Sequence, residues 1–176
     1  MSIKLAWGNR VSTEFRSRVV QISAHLKVDP SFLMAAIAFE TGQTFRADIH
    51  NGAGSGAVGL IQFMPQTAAA LGTSSERLAE MSPVRQLDYV RDYLEPKASR
   101  LKTIEDVYMA ILWPSAIGKP SDYVLFKKHD LKRPRLYIQN AGLDFNKDGV
   151  ITKREAAARV VALLDKGLQK PNVFDV

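Results

Sequence analysis

The sequence contains no cysteine and no long apolar run. The absence of cysteine from its 176 residues excludes disulfide bonds and thiolate metal sites, and it leaves the redox compartment undecided. No apolar stretch approaches the roughly 20 residues that a membrane-spanning helix needs, so we expect no membrane span. Residues 1–8 are too short and too polar for a secretory signal peptide. We therefore expect a globular chain that is held together by its core.

Composition indicates one globular domain, alone or with a small appendix. Hydrophobic residues make up 46% of the chain and charged residues 24%, which is ordinary for a protein that buries a real core. The formal net charge of +6 favours an anionic partner, a class that includes nucleic acid, anionic lipid and polymers that carry carboxylates. Charge alone does not choose among these partners.

Apolar periodicity and helix caps predict a fold that is mainly α-helical. The predicted helices cover, in chain order, residues 12–27, 29–40, 65–71, 83–95, 103–113 and 152–168. Strand signals are weak and limited to Ile49 and segment 58–61. A basic stretch followed by Asn140-Ala-Gly142 interrupts the helical pattern, so we place a boundary within residues 127–142.

Glu40 stands out because it is an acid at the end of an almost wholly apolar helix. Asp29 and Pro30 suit the start of this helix, and Gly42 suits a left-handed residue just past its end. Segment 33–39 is apolar on every face, which predicts burial. Burial and the negative end of the helix dipole both raise the pKa of a carboxyl group, as a general acid near neutral pH requires. The alternative is a surface glutamate at a helix end.

Residues 54–59, Gly-Ser-Gly-Ala-Val-Gly, match the dinucleotide-binding pattern G-x-G-x-x-G but lack its context. That motif follows a buried strand and opens a helix. Here a polar segment, 46–51, precedes the glycines, and the residues after them reach Pro65 before a helix can begin. We therefore interpret the glycines as backbone that something extended approaches closely.

A long ordered motif follows the acid. The chain has Glu40-Thr41 and then Ala57-Val-Gly-Leu-Ile-Gln-Phe-Met-Pro-Gln-Thr-Ala68. These residues resemble the lysozyme-like lytic transglycosylases, especially the compact phage-type enzymes, which carry a catalytic Glu, a small hydroxyl residue and an Ala-x-Gly-Leu-Met-Gln-x-x-Pro-x-Thr-Ala segment. Weaker resemblance extends from Trp7 to about Lys119.

The resemblance implies a lysozyme-like helical catalytic domain at residues 1–126, with residues 127–176 as a smaller extension packed on it. The implied substrate is the glycan strand of peptidoglycan, cut between N-acetylmuramic acid and N-acetylglucosamine. Glu40 would protonate the leaving oxygen and then remove the proton from the 6-hydroxyl of the muramic acid, which closes a 1,6-anhydro ring. No water is consumed, so neither a second carboxylate nor a cofactor is needed, whereas ordinary glycoside hydrolases use a carboxylate pair.

The resemblance also implies residues that contact sugar. Three of them would line the cleft beside the acid: Thr41, Gly59 and Gln62. Phe63 and Trp113 are candidates for stacking on sugar faces, with core packing as the alternative. The usual family motif Ala-Tyr-Asn-Ala-Gly corresponds here to Leu112-Trp-Pro-Ser-Ala116, so Trp and Pro replace Tyr and Asn. This departure concerns sugar contact and leaves the acid unchanged.

Residues 144–155 match the full EF-hand calcium-loop pattern. Its ligand positions hold Asp144, Asn146, Asp148, the carbonyl of Val150 and Glu155. Gly149 stands where the loop turns sharply. The alternative is an Asx-rich turn that caps the following helix. Since no second loop is available for pairing, we expect a structural Ca²⁺ site and not a sensor that opens.

The partners and the delivery route are expectations. The basic segment 127–135 is a solvated surface or attracts wall carboxylates, and we expect no nucleic acid partner and a monomer. The spacing of the histidines does not indicate zinc. The substrate lies outside the cytoplasmic membrane and no export signal is visible, so we expect delivery by a phage particle, release through membrane lesions as for an endolysin, or membership of a longer chain.

Three function hypotheses stay open. The leading one is a lytic transglycosylase. The second is a hydrolysing muramidase on the same fold, in which Asp48 or Asp122 activates water. The third is a non-catalytic wall-binding or virion structural protein that calcium stabilises.

Overall fold

The computed structural model describes residues 3–176 and is mainly helical. Helices account for 55% of the structure, which confirms the expected fold class. The described residues form eight α-helices: α1 Thr13–Leu26, α2 Pro30–Glu40, α3 Pro65–Ala70, α4 Ser75–Glu80, α5 Pro83–Leu94, α6 Ile104–Leu112, α7 Pro134–Asn140 and α8 Lys153–Gly167. Short 3₁₀ segments connect several of them, and the longest of these, Glu95–Arg100, continues α5.

Side-chain caps determine where the helices begin. The hydroxyl of Ser12 accepts a hydrogen bond from the amide of Phe15, and the carboxylate of Asp29 accepts one from the amide of Ser31. A capping box at Thr103 starts α6, because its side chain and that of Asp106 each bind the backbone of the other. These caps satisfy amides that the first helical turn leaves free.

Four short strands form two antiparallel pairs within residues 3–176. The strands are β1 Lys4–Leu5, β2 Val124–Lys127, β3 Val150–Thr152 and β4 Phe174–Asp175, and β1 pairs with β4 while β2 pairs with β3. Strands this short show no visible alternation, so the sequence did not predict them. The strand predicted at 58–61 is wrong, since Val58 makes only isolated bridges, to His50 and Phe63.

The central element of the core is α2. It packs against α1, α6, α8 and β1. Every residue from Leu33 to Ala38 is buried, with at most 1% of its surface exposed, which explains why this helix is apolar on all faces. The acid at its end is therefore carried by the most enclosed helix of the fold.

The C-terminal residues pack into the same core. Helix α8 contacts both α2 and α6, and it buries Ala156, Ala157 and Val160 completely. Its first residue, Lys153, donates a hydrogen bond of 2.6 Å to Asp106 of α6. β2 extends to Lys127 and so crosses the end proposed for the catalytic domain, and that division of the chain stays a prediction.

Within residues 3–176, no single helix is long and apolar enough to cross a membrane. The helices α1 and α2 reach the necessary length and composition only when taken together, across a bend of 120°.

Candidate active site

Glu40 is the last residue of α2, and the chain turns sharply after it. Gly42 adopts a φ of 58°, in the left-handed region. The amide of Gln43 donates to the carbonyl of Ala38 at 2.7 Å, and the amide of Gly42 donates to that of Phe39 at 3.2 Å. This pair of bonds is a Schellman motif, which glycine favours because it has no Cβ. The predicted helix end and the predicted role of Gly42 are confirmed.

The environment of Glu40 favours its protonated form. Burial raises the pKa of Glu40 from 4.5 to about 7, because a charged carboxylate is poorly solvated there. The position at the negative end of α2 acts in the same direction. A pKa in this range leaves a substantial share of neutral, proton-donating carboxyl groups at neutral pH.

Tyr108 of α6 lies beside this acid. Burial and the negative charge of Glu40 both raise the pKa of Tyr108, and the guanidinium of Arg159 opposes this shift. The ring of Phe39 packs edge-on against Tyr108, with 5.4 Å between centroids. The site thus lies where α2, α6 and α8 meet. Tyr108 was not predicted from the sequence as a site residue, because a tyrosine within an apolar helix is usually part of the core.

Thr41 supports the turn after the acid. Only 2% of its surface is exposed. Its hydroxyl donates to the carbonyl of Ile37 at 2.8 Å and accepts from the amide of Phe45 at 3.0 Å. The hydroxyl is therefore engaged with the backbone and supports the turn, and the contact of Thr41 with sugar stays a prediction.

The buried side chain of Gln86 holds the glycine-rich loop in place. Its Oε1 accepts a hydrogen bond of 2.7 Å from the amide of Leu60, and its Nε2 donates to the carbonyls of Ala47 and Leu78. A Cβ on Gly59 would lie 2.3 Å from Oε1 of Gln86. Gln86 is thus a close neighbour of the Gly59 backbone, and the place of Gly59 beside the sugar stays a prediction.

Gln62 is fixed within the same loop. It adopts a φ of 53°, which is uncommon for a residue with a side chain. Its Nε2 donates to the carbonyls of Ile49 and Gly59, both at 3.0 Å. These bonds run within the loop, so the contact of Gln62 with an N-acetyl group stays a prediction.

The two aromatic candidates differ in exposure. Phe63 is buried and packs edge-on against Tyr93, which favours core packing, and its contact with sugar stays a prediction. Trp113 directly follows α6 and is partly exposed. Its ring meets Phe126 edge-on at 5.1 Å, and the guanidinium of Arg133 lies 5.9 Å from the ring centroid. Trp113 therefore retains accessible surface for the predicted stacking.

A protein-family model matches this chain. The model of the transglycosylase SLT domain covers residues 19–112, which is just over half of the chain. The chain belongs to this family. The matched segment runs from α1 to the end of α6, so it includes Glu40, the motif at 57–68 and Tyr108. No curated protein sequence matches the chain.

Membership of the SLT family indicates a peptidoglycan-acting function of the lytic transglycosylase type. Asp48 and Asp122, the two carboxylates that would activate water in a hydrolysing muramidase, are both exposed. Asp48 accepts two hydrogen bonds from Arg46, at 2.9 and 2.8 Å, and these hold the pKa of Asp48 below its ordinary value. Asp122 lies in the turn that precedes β2.

The C-terminal loop of this SLT protein, residues 144–155, is closed by hydrogen bonds between its own groups. Oδ1 of Asn146 accepts from the amide of Asp148 at 2.9 Å, and Oδ1 of Asp148 accepts from the amide of Val150 at 2.8 Å. Gly149 has a φ of 83°, as the sharp turn requires. Such bonds fit both an Asx-rich turn and a calcium loop.

The first and last residues of the loop each accept two hydrogen bonds through one carboxylate oxygen. Oδ2 of Asp144 accepts hydrogen bonds from the hydroxyl of Tyr137 and the amide of Gly149. Oε2 of Glu155 accepts from the amide and hydroxyl of Thr152, which forms a capping box at the start of α8. Across residues 3–176, no three acidic or histidine side chains are already gathered in a metal-binding arrangement.

Proposed function

We propose that this protein is a lytic transglycosylase that cleaves peptidoglycan between N-acetylmuramic acid and N-acetylglucosamine. Glu40 acts as the single general acid and base, and the products end in 1,6-anhydro-N-acetylmuramic acid. The observation that carries this proposal is the pKa of Glu40, which burial raises to about 7 in a chain of the SLT family. Perturbed carboxyl groups of this kind are typical of catalytic sites.

Each step uses the same carboxyl group. Protonated Glu40 donates its proton to the glycosidic oxygen, and the bond from that oxygen to the anomeric carbon of the muramic acid breaks. The resulting carboxylate takes the proton from the 6-hydroxyl of the same sugar, whose oxygen then bonds to the anomeric carbon. Glu40 regains its proton, and water is not consumed. A pKa near 7 suits both roles at neutral pH.

Tyr108 contributes a neutral hydroxyl to this site. Its pKa is raised by burial and by the charge of Glu40, so it does not ionise when Glu40 does. A neutral phenol beside the carboxylate avoids the repulsion that a second negative charge would create.

A hydrolysing muramidase is the second candidate. It would need a carboxylate that activates water on the opposite side of the bond. Asp48 is exposed and bonded to Arg46, which lowers its basicity, so this candidate has less support. A protein that only binds the wall is less supported still, because binding does not require an acid with a perturbed pKa.

Mass spectrometry of muropeptides after digestion of purified peptidoglycan tests the proposal. We expect anhydro-muramic ends, and a majority of reducing ends would establish the muramidase instead. Glu40→Gln keeps the size of the side chain but loses the transferable proton, so lysis should fall at least about a hundredfold with an unchanged circular dichroism spectrum. Glu80→Gln, an exposed position on α4, is the matched control and should retain lysis.

A further inference from the structure

Two buried carboxylate oxygens in the C-terminal loop have no hydrogen-bond partner. They are Oδ1 of Asp144 and Oε1 of Glu155. Only 7% of the surface of Asp144 is exposed. Buried polar atoms are nearly always paired, so two unpaired anionic oxygens at the two ends of one loop require an explanation.

The loop chemistry identifies what would satisfy these oxygens. Asp144 and Glu155 occupy the first and last positions of the EF-hand pattern, where calcium takes a carboxylate at each end. Asn146, Asp148 and the carbonyl of Val150 supply further hard oxygens between them. Nδ2 of Asn146 now donates to Oδ2 of Asp148 at 3.1 Å. A bound ion would replace this contact, and Oδ2 of Asp148 would then be free to coordinate it.

Strand pairing supports the same interpretation. The seventh to ninth positions of the loop form β3, which pairs antiparallel with β2. The amide of Lys128 also donates to the carbonyl of Gly149 at 2.8 Å. The loop therefore has a fixed backbone partner even though the chain carries no second loop of this kind, and β2 belongs to the segment that follows the catalytic helices.

Helix α8 connects the loop to the active site. Glu155 is the last loop residue and lies in the first turn of α8. In the same turn, Lys153 is buried and hydrogen-bonded to Asp106 of α6. One turn further on, the positive charge of Arg159 partly offsets the rise in the pKa of Tyr108. Whatever fixes the start of α8 thus fixes the face that α8 presents to α2 and α6.

We propose that residues 144–155 bind one calcium ion through Asp144, Asn146, Asp148, Val150 and Glu155, and that the ion fixes α8 against the helices that carry Glu40 and Tyr108. The ion is structural and takes no part in bond cleavage. The unpaired oxygens of Asp144 and Glu155 distinguish this site from a turn that merely caps α8, because a cap uses only one oxygen of Glu155.

Thermal unfolding of the intact chain tests the proposal without reference to catalysis. After treatment with EDTA and dialysis, free calcium is titrated with a calcium buffer from about 1 nM to about 10 mM, which covers the dissociation constants of EF-hand loops, about 10⁻⁹ to 10⁻³ M. At a hundred times the dissociation constant, Tm should rise by about 5 to 10 °C. Magnesium at the same concentrations should raise it far less, and isothermal titration should give one calcium per chain. An unchanged Tm and no binding heat would overturn the site.

Glu155→Gln separates metal binding from helix capping. Glutamine still serves in a capping box but lacks the charge that binds calcium bidentately. The variant should match the wild type in EDTA and lose the response to calcium. Asp165→Asn removes an exposed carboxylate from the other end of α8 and should keep that response. If Glu155→Gln keeps the full calcium response, the assigned ligands are wrong.

Discussion

At the residue scale, the chemistry depends on one carboxyl group that is placed where water solvates it poorly. Glu40 ends an apolar helix, and the turn after it is fixed by Gly42 and Thr41. The same burial that makes Glu40 useful as an acid makes its ionised form costly for the fold. Activity and stability should therefore depend on pH in related ways.

Lysis should be strongest at and below pH 7 and should fall as the pH rises further. The step needs protonated Glu40, whose pKa is about 7, so the rate should drop towards tenfold per pH unit above that value. The measurement is kcat/KM on soluble glycan fragments across the pH range in which circular dichroism shows an intact fold. A rate that stays constant up to about pH 9 would contradict the role of Glu40 as the acid.

The stability of the fold should also fall as the pH rises, but here the loss of the Glu40 charge should help. The folded pKa of Glu40, about 7, lies above the unfolded value of 4.5, so its contribution is present below pH 4.5 and is lost as the pH rises through 7. Glu40→Gln should therefore be more stable than the wild type at alkaline pH, by at most about 3 kcal/mol, and the gain should vanish in acid. Urea unfolding at both pH values measures it, with Glu80→Gln as the variant that should show no such difference.

The roles of some site residues could be predicted from the sequence, and those of others could not. Glu40 was predictable because its setting is local: a capped apolar run that ends in an acid and a glycine. The role of Thr41 was not, since only the folded turn brings its hydroxyl between the carbonyl of Ile37 and the amide of Phe45. Tyr108 lies far from Glu40 in the chain, and no local pattern reports such a contact.

At the element scale, the loop between α2 and α3 depends on one side chain from α5. Gln86 is fully buried and bonds three backbone groups, at Leu60, Ala47 and Leu78. The position reads as an ordinary polar residue of an amphipathic helix, so the sequence predicted α5 but not this function. The glycines indicated a close approach, and the structure identifies Gln86 as the group that approaches Gly59.

Replacing Gln86 by leucine should destabilise the protein and impair lysis together. The amide of Leu60 and the carbonyl of Ala47 would lose their partners while buried, whereas the carbonyl of Leu78 keeps the amide of Met81. Each loss costs about 1 to 3 kcal/mol, so we expect a total of about 2 to 6 kcal/mol. Urea unfolding measures the stability, and lysis assayed well below Tm measures the site. The control is Gln66→Leu, an exposed position on α3, which should change neither. A Gln86→Leu protein with unchanged stability would show that the loop is held by other contacts.

At the scale of the whole molecule, the first and last strands of the described residues pair with each other, and the N-terminal segment also contacts α8. β4 pairs with β1, and Nε1 of Trp7 donates to the carbonyl of Leu163 at 2.8 Å. Burial alone would raise the pKa of Asp106, but hydrogen bonds from Lys153 and from the amide of Gly118 lower it overall, so the buried pair is ionic. Helix caps and apolar periodicity predict single helices from the sequence. These contacts, in contrast, join residues that are distant along the chain, so no local pattern predicts them.

Residues 1–126, the catalytic domain proposed from the sequence, should not fold without the residues that follow. Removing α8 exposes the apolar faces of α2 and α6 to water and leaves the carboxylate of Asp106 without Lys153. Breaking a buried ion pair in this way alone costs about 3 to 5 kcal/mol, a large part of the 5 to 15 kcal/mol that typically stabilises a domain. The intact chain should therefore unfold in one transition by calorimetry, and the truncated chain should show none. A cooperative transition in residues 1–126 would mean that the catalytic helices are an independent domain, with α8 only an addition to it.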